Sequence, residues 1–341
     1  MKILVTGGAG YVGSVTVERL LGEGHAVWVL DDVSTGHAAA VPAGATFIEA
    51  SYADQPLVAG LLADNAIEAI LHCAARSLVG ESIREPSIYY RANVVGGIAL
   101  LEAAREAGVE RLVFSSTAAV YGVPALTPID ETAGLDPINP YGETKRTFEG
   151  AMRWYATAYG LRGIALRYFN VAGATERYGE DHDPETHLIP TILNAVAADR
   201  PMSLFGADYP TPDGTPIRDY IHVEDLADAH LLALEATGVP LPAGEERTVM
   251  LNLGTGTGFS VRDVLGAAEA VVGRPIPSMS GPRRAGDPPV LVASAHRARE
   301  TLGWLPRRSS LAEMIGSAWT WRQAHPDGYQ ARPTAMTDET R

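Results

Sequence analysis

The sequence predicts an α/β protein built on a doubly wound parallel sheet, with a smaller α/β lobe towards the C-terminus. Three observations carry this expectation. Short runs that are apolar on every residue alternate with stretches of helix length, the pattern of parallel strands covered on both faces. The first of these runs ends directly in a glycine-rich turn that opens a helical stretch. Beyond Asn170 the texture shifts to segments rich in Gly, Pro, Asp and His, where a second lobe is expected to begin.

Residues 3–5, 26–30, 70–73, 112–114 and 164–166 read as the buried strands in turn. Residues 217–222 read as a further strand and 223–236 as a helix, both expected to rejoin the main sheet. The expected division is therefore 1–172 as the large unit, joined by 216–240, with 173–215 and 241–326 forming the smaller lobe. The polar, aperiodic residues 327–341 read as a loose tail.

Of the 341 residues, 46% are hydrophobic and 20% charged, which excludes general disorder and suffices for one large core or two domains. Lys and Arg number 27 against 41 Asp and Glu, a net charge of −14, and no basic run offsets it. Nucleic acid is accordingly not expected as a partner. An anionic ligand has to be held locally, by a few Arg side chains or by helix N-termini. Cys73 is the only cysteine, which removes an intramolecular disulfide framework and any Cys-based zinc cage. No stretch approaches the roughly 18 uninterrupted apolar residues of a spanning helix, so no membrane association is expected. Met1 runs straight into the first strand and its glycine turn, so the protein is expected to be cytoplasmic, without a cleaved leader.

Thr6-Gly7-Gly8-Ala9-Gly10-Tyr11-Val12-Gly13 joins the first strand to the first helix. Glycines at these positions permit a tight turn, close approach of backbone to a pyrophosphate and close packing of helix on sheet. Asp31, at the end of the second strand and 18 residues after Gly13, supplies the acidic partner of a dinucleotide ribose. Asp31 and Asp32 would accept hydrogen bonds from a ribose 2′-hydroxyl and repel a 2′-phosphate, so NAD is expected over NADP. The main sheet is thus predicted to be of Rossmann type. A merely tight strand–helix turn is the bland alternative.

Asn139-Pro140-Tyr141-Gly142-Glu143-Thr144-Lys145 opens a predicted helix with Pro140 in its first turn. Tyr141 and Lys145, four apart, lie on one helix face. A cation beside a phenol favours phenolate and lowers its pKa, which would let Tyr141 act as a general base near neutral pH. Such a spacing alone is usually a solvated helix face. Its position after the strand ending in Phe114-Ser115-Ser116-Thr117, at the carboxyl edge where open α/β sheets bind ligands, favours chemistry. Thr117 would hydrogen-bond a sugar hydroxyl, or simply end its strand.

These segments occur in order with Ser115-Ser116-Thr117-Ala118-Ala119-Val120-Tyr121-Gly122, Arg167-Tyr168-Phe169-Asn170, Arg218-Asp219-Tyr220-Ile221-His222-Val223 and Arg283-Arg284-Ala285-Gly286-Asp287. Together, from residue 1 to about 330, they closely resemble the UDP-glucose 4-epimerase family of extended short-chain dehydrogenases/reductases. The resemblance implies a retained NAD and reversible inversion at C4 of a UDP-hexose, through a 4-keto sugar that turns over while its nucleotide stays anchored. It implies Tyr141, Lys145 and Thr117 as catalytic residues. It implies cofactor contacts from Gly7, Gly10, Tyr11, Val12, Gly13, Asp31, Asp32, Ala74, Ala75, Asn93, Ser115 and Tyr168, besides Tyr141 and Lys145. Asn170, Arg218 and Arg284 are implied at the diphosphate, Asp287 at the uridine ribose, and Leu188 and Phe205 at the uracil. A homodimer pairing helices at about 87–107 and 141–160 is implied as well.

Several positions depart from the family pattern. Ser77 stands where a Lys is frequent beside the nicotinamide ribose, Ser51 where an Asp meets the adenine edge, and His187 where an Asn meets the substrate diphosphate. Leu291 occupies a place that varies between a bulky aromatic and a small residue, so acceptance of N-acetylhexosamines or pentoses stays open. A 4,6-dehydratase would need an acid and a base after the Thr, where this chain has Ala118-Ala119. A noncatalytic NAD or nucleotide-sugar sensor should have lost Thr117, Tyr141 or Lys145. Cys73 is expected to be a packed thiol, and Trp319 and Trp321 core or interlobe packing. No metal site is expected: His182 with Asp181 and Asp183 reads as part of a loop near the sugar.

Overall fold

The computed structural model describes residues 1–239, 247–283 and 288–329. Its strands, in chain order, are Lys2–Thr6 (β1), Ala26–Asp31 (β2), Thr46–Glu49 (β3), Ala69–His72 (β4), Arg111–Thr117 (β5), Arg162–Tyr168 (β6), Asn170–Ala172 (β7), Met202–Phe205 (β8), Ile217–His222 (β9), Thr248–Leu253 (β10), Gly258–Ser260 (β11), Ser278–Gly281 (β12) and Val290–Leu291 (β13). The α-helices are Tyr11–Gly22 (α1), Gln55–Asp64 (α2), Val79–Arg84 (α3), Pro86–Tyr89 (α4), Gly97–Ala107 (α5), Pro140–Tyr159 (α6), Leu188–Ala197 (α7), Val223–Ala236 (α8), Val261–Val272 (α9), His296–Leu302 (α10) and Leu311–Ala324 (α11). Among the described residues no helix is long and apolar enough to cross a membrane.

The main sheet has seven strands in the order β10-β6-β5-β4-β1-β2-β3, and every pairing is parallel. The pleat explains why its strands read as continuous apolar runs. Ile3 and Val5 of β1 face one core with α1 and α8, while Leu4 faces another with α2, α5 and α6. Val113 of β5 and Leu251 of β10 join the first core, Phe114 and Met250 the second. Burial on both sides leaves no polar alternation to be seen.

Two of the expectations need correcting. Residues 217–222 do form a strand, but β9 does not rejoin the main sheet; it pairs with β7 and β13 in parallel and with β11 in antiparallel fashion. The place next to β6 is taken by β10, whose residues had been assigned to the second lobe. The helix that follows β9 returns where expected: α8 buries Leu226, Ala229 and Leu234 in the core of the main sheet. The reason is local. Both faces of β10 are apolar, Leu251 and Leu253 on one and Met250 on the other, whereas β9 buries Asp219, which accepts hydrogen bonds from Thr255, Gly256 and Ala293 backbone N–H groups. A buried carboxylate with three backbone donors suits a sheet surrounded by loops. The short strand β3, exposed at Thr46 and Glu49, carries no pattern strong enough to announce it.

Strand order reverses between β1 and β4, so a crevice opens at their carboxyl ends. Over the far side of that edge lies the smaller core formed by α7, α9 and α11 with Met202 and Tyr220.

Candidate active site

One wall of the crevice is the glycine turn. Gly7 has φ +77°, and a Cβ on it would stand 2.4 Å from Ala74 N; a Cβ on Gly13 would stand 2.0 Å from Gly7 O. Backbone therefore packs on backbone, and no other residue fits. The first turn of α1 has Gly10 at its N-cap with no side-chain acceptor, which leaves N–H groups for an anion. Asp31 ends β2 and accepts from Ala9 N at 3.0 Å and Val33 N at 2.9 Å, so it props the turn. Burial raises its pKa, opposed by those two hydrogen bonds. Each carboxylate oxygen keeps a lone pair for a ribose hydroxyl. Asp32 accepts from Ser34 N at 3.0 Å. Cradle, helix end and acidic pair suit a dinucleotide.

Other sequence-assigned cofactor residues have structural partners. The Tyr11 hydroxyl donates to Gly173 O at 2.5 Å, tying α1 to the start of the second lobe. Val12 packs against the same small core as Tyr11, with Val15, Tyr178, Val223 and Ala227. Ala74 and Ala75 form the turn after β4 that closes on Gly7. Asn93 lies in a π-helical stretch, Tyr90–Gly96, and is buried. Its amide accepts from Arg76 N at 2.9 Å and donates to Arg76 O and Thr144 Oγ1 at 3.0 Å each. Asn93 thus clamps the turn after β4 to α6. Ser51 and Ser77 lie in loops, Ser51 Oγ accepting from Ala53 N at 3.2 Å.

The opposite wall is α6 against β5. Asn139 caps α6, accepting from Gly142 N at 2.9 Å, with Pro140 at the first helical position as expected. That start places Tyr141 and Lys145 on the face towards β5. Lys145 is 3% exposed, and its Nζ donates to Ser115 O at 2.7 Å while lying 4.6 Å from the Phe114 ring centroid and 5.9 Å from that of Tyr141. Desolvation lowers its pKa to about 8. Thr117 ends β5, accepts from Ala119 N at 3.2 Å, and its hydroxyl is hydrogen-bonded to Tyr141. Ser115 contacts Cys73 Sγ at 3.3 Å and His230 Nε2 at 2.9 Å. Burial pushes the Cys73 thiol up to about 11, in keeping with an unreactive packed cysteine. Tyr168 lies at the end of β6, beside the His230 ring at 6.2 Å.

The Tyr141 phenol does not follow the simple expectation. Desolvation raises its pKa to about 12, with only the Thr117 hydrogen bond lowering it. Lys145 is aimed at a carbonyl of β5 instead of the phenol oxygen, so its charge does not outweigh the loss of water around Tyr141. A second positive charge is required before this phenol gives up its proton near neutral pH.

Behind this wall runs a network for which the sequence offered no role. Glu149, one turn beyond Lys145 on α6, is 1% exposed and pairs with Arg167 of β6 at 2.6 and 2.9 Å, in a two-pronged ion pair. Glu149 also accepts from Ser116 Oγ at 2.6 Å, and Arg167 donates to the Tyr121 hydroxyl at 2.9 Å, which donates to Asn252 Oδ1 at 2.7 Å. Four elements, β5, α6, β6 and β10, are pinned just under the Thr117–Tyr141–Lys145 set. An acid four residues after Lys145 was the available signal.

The remaining assigned residues line the second lobe. Asn170 begins β7 in register with Tyr220, two residues from Arg218 on β9. The Arg218 guanidinium donates to Ile217 O and Pro288 O, each at 2.7 Å. Leu188 starts α7, and Phe205 ends β8 with 40% of its surface exposed. His187 hydrogen-bonds Glu180 through Nδ1. Leu291 packs with Ala118, Tyr121 and Phe169 beside the end of β5. Arg284 and Asp287 lie outside the described residues.

A family model described as NAD dependent epimerase/dehydratase matches residues 3–243. The chain belongs to that family. Within this epimerase/dehydratase family, the chain is 49% identical to a UDP-glucose 4-epimerase of Lactobacillus helveticus, the match covering 97% of this chain and 99% of the relative. A crystal structure of a UDP-glucose 4-epimerase superposes with TM-score 0.92 at 46% identity, covering 97% of this chain and all of the other. The Brucella ovis UDP-glucose 4-epimerase, solved in complex with NAD, superposes with TM-score 0.88 at 45% identity, covering 93% and 97% of the two chains. NAD is the cofactor of the family, and the cradle described above fits it.

Proposed function

We propose that this protein inverts C4 of a UDP-hexose, interconverting UDP-glucose and UDP-galactose with NAD retained through the cycle. One observation carries the reading: Thr117, Tyr141 and Lys145 converge at the carboxyl edge of the sheet, across the crevice from a backbone cradle that admits only glycine. The naming of full-length relatives supports it.

In this reading Tyr141 takes the proton of the sugar 4-hydroxyl as C4 is oxidised, and returns it as C4 is reduced on the opposite face. Thr117 holds the same hydroxyl. Bound NAD supplies the hydride acceptor and, when oxidised, the positive ring charge that Tyr141 needs. Lys145, anchored on Ser115 O, adds its own charge below about pH 8 and fixes the register of α6. The 4-keto sugar then turns over, which requires that the nucleotide be gripped and the hexose held loosely. The grip falls to Asn170, His187, Arg218 and Arg284 at the diphosphate, Asp287 at the ribose, and Leu188 and Phe205 at the uracil. Division into a cofactor unit and a substrate lobe belongs to the same proposal.

Incubating purified protein with UDP-galactose and resolving the products tests this directly. UDP-glucose is expected at an equilibrium ratio independent of the starting sugar, without added NAD once the holoenzyme has formed. No conversion by a holoenzyme with bound NAD would refute it. Parallel incubations with UDP-N-acetylgalactosamine and UDP-arabinose define what Leu291 admits.

We also propose a homodimer in the cytoplasm. Val95, Trp154 and Tyr159 are 65%, 74% and 55% exposed along α6 and the stretch before α5, an apolar face suited to a second copy of this chain. Light scattering on the eluting protein should give twice the chain mass of 36.2 kDa. The single unpaired Cys73 suits a reducing compartment.

A further inference from the structure

The loop between β7 and α7 gathers four side chains, of which the proposed reaction calls on His187 alone, and its Nδ1 faces the other three. We propose that Glu180, His182, Glu185 and His187 form a site for one divalent transition-metal ion, with zinc as the ion their chemistry favours.

The geometry is that of a ligand set. One donor atom from each residue lies within 4.8 Å of every other. His182 Nδ1 is 3.2 Å from Glu180 Oε1 and 3.8 Å from Glu185 Oε2, and His187 Nδ1 is 3.7 Å from Glu185 Oε1. Zinc holds nitrogen and carboxylate oxygen at about 2.0–2.2 Å in a tetrahedron, whose edges are then roughly 3.4 Å. The observed separations bracket that edge. Only the hydrogen bond between His187 Nδ1 and Glu180 has to open.

A second observation points into the same space. His182 Nδ1 is shielded from solvent and makes no hydrogen bond, because its approach to Glu180 falls outside hydrogen-bonding geometry. A buried ring nitrogen facing two carboxylates is a donor atom in search of a positive centre. The Glu180 and Glu185 side chains are only 7% and 11% exposed. Two carboxylates and two neutral imidazoles balance a 2+ charge, which removes the cost of confining two acids together. Imidazole and carboxylate ligands without thiolate suit zinc, and also cobalt, nickel or manganese.

The position gives the ion a structural task. His187 is the N-cap residue of α7, so the site joins the loop to the helix that begins with Leu188. The same loop is tied to the cofactor side, since His37 Nε2 is 2.9 Å from Asp181 O and Asp181 Oδ2 accepts from Tyr329 N at 2.9 Å. A metal at this point staples the segment between the glycine turn and the nucleotide side of the crevice. It replaces the expectation, drawn from the sequence, that the stretch is only a loop. Four ligands within eight residues escape notice because their spacing follows neither a helix nor a finger.

The test uses the NAD-bound protein and zinc alone. After dialysis against chelator, zinc is returned in competition with a chromophoric indicator, and bound metal is counted by elemental analysis. One ion per chain with micromolar or tighter affinity is expected, together with a rise in melting temperature. His182→Ala and the isosteric Glu185→Gln should each weaken binding at least 10-fold, while His296→Ala, at an exposed pair with Glu300, should bind as the parent does. Near-ultraviolet dichroism and retained NAD confirm that each variant is folded. Absence of stoichiometric zinc in the parent overturns the proposal. Equal affinity in the parent, His182→Ala and Glu185→Gln places the ion elsewhere and overturns it as well.

Discussion

The two walls of the crevice are made differently. The wall formed by β5 and α6 holds Ser115, Ser116, Lys145 and Glu149 at almost complete burial, each with a named partner in regular structure. The lobe across from it presents its assigned residues from the ends of short strands, from loops and from a first helical turn: Asn170, His187, Leu188, Phe205, Arg218 and Leu291. An ion pair of this lobe, Arg283 with Asp208, is largely exposed. The difference matches the proposed division of labour. Proton transfer needs atoms fixed to within a fraction of an ångström, which a doubly covered sheet supplies. A lobe assembled from short pieces can adapt to a nucleotide and leave a hexose room to turn.

The largest expected effect separates the walls by stability. Arg167→Met leaves the Glu149 carboxylate buried without its partner, and a loss of about 3–5 kcal/mol is expected in chemical denaturation. The double variant Glu149→Leu with Arg167→Met should recover most of it, since neither charge then remains. Arg283→Met, in the exposed pair of the lobe, should leave the unfolding midpoint unchanged. If the two single variants unfold alike, the contrast between the walls is wrong.

Next in size is a contrast in kinetics. Tyr141→Phe removes the proton acceptor, and turnover should fall by roughly 10²-fold or more with UDP affinity retained. Phe205→Ala should do the reverse, raising KM while kcat stays near the parent value. Steady-state kinetics with a UDP titration distinguish the two; a Phe205→Ala variant that loses kcat alone would place this residue on the chemical side.

The same contrast governs what the sequence revealed. The sheet, the glycine turn with Asp31, and the Tyr141–Lys145 pair were legible because each is written in neighbouring residues: an apolar run, a turn chemistry, a helical spacing. The lobe was not, since β9 finds β11, β7 and β13 from 39 to 73 positions away, and no local pattern records such pairings. Its boundary was misplaced at β10 for that reason. Glu149 and Arg167 were overlooked because charged residues ordinarily lie in water, and only their mutual geometry shows them sealed in. The rise of the Tyr141 pKa is likewise a property of packing around the ring, which a four-residue spacing does not contain.

Acid titration sharpens the contrast at the level of whole elements. His72, which ends β4, and His230 of α8 are buried, and desolvation lowers their pKa values to about 3 and 4; His222, at the end of β9, is lowered to about 4. Near pH 5 these rings are neutral in the folded protein and protonated once unfolded. Unfolding therefore takes up protons, and stability should fall as pH drops from about 6.5 towards 4. The three rings contribute up to three protons to the uptake measured from midpoints across that range, and His72→Phe should reduce the total by about one. A pH-independent midpoint would contradict the burial of these rings.

The smallest effect concerns where the walls meet. Leu291, on β13 of the lobe, packs with Ala118, Tyr121 and Phe169 at the catalytic edge, so its bulk sets the room available beside Thr117. Exchanging side-chain volume in a pocket shifts preference by about 1–3 kcal/mol, a factor of 10–200. Leu291→Gly should raise kcat/KM for UDP-N-acetylglucosamine relative to UDP-glucose, towards the lower end of that range because one partner, Tyr121, is held rigidly by Arg167 and Asn252. Leu291→Tyr should shift the ratio in the opposite direction. If neither variant changes it while both turn over UDP-glucose, the acetamido group is accommodated away from Leu291.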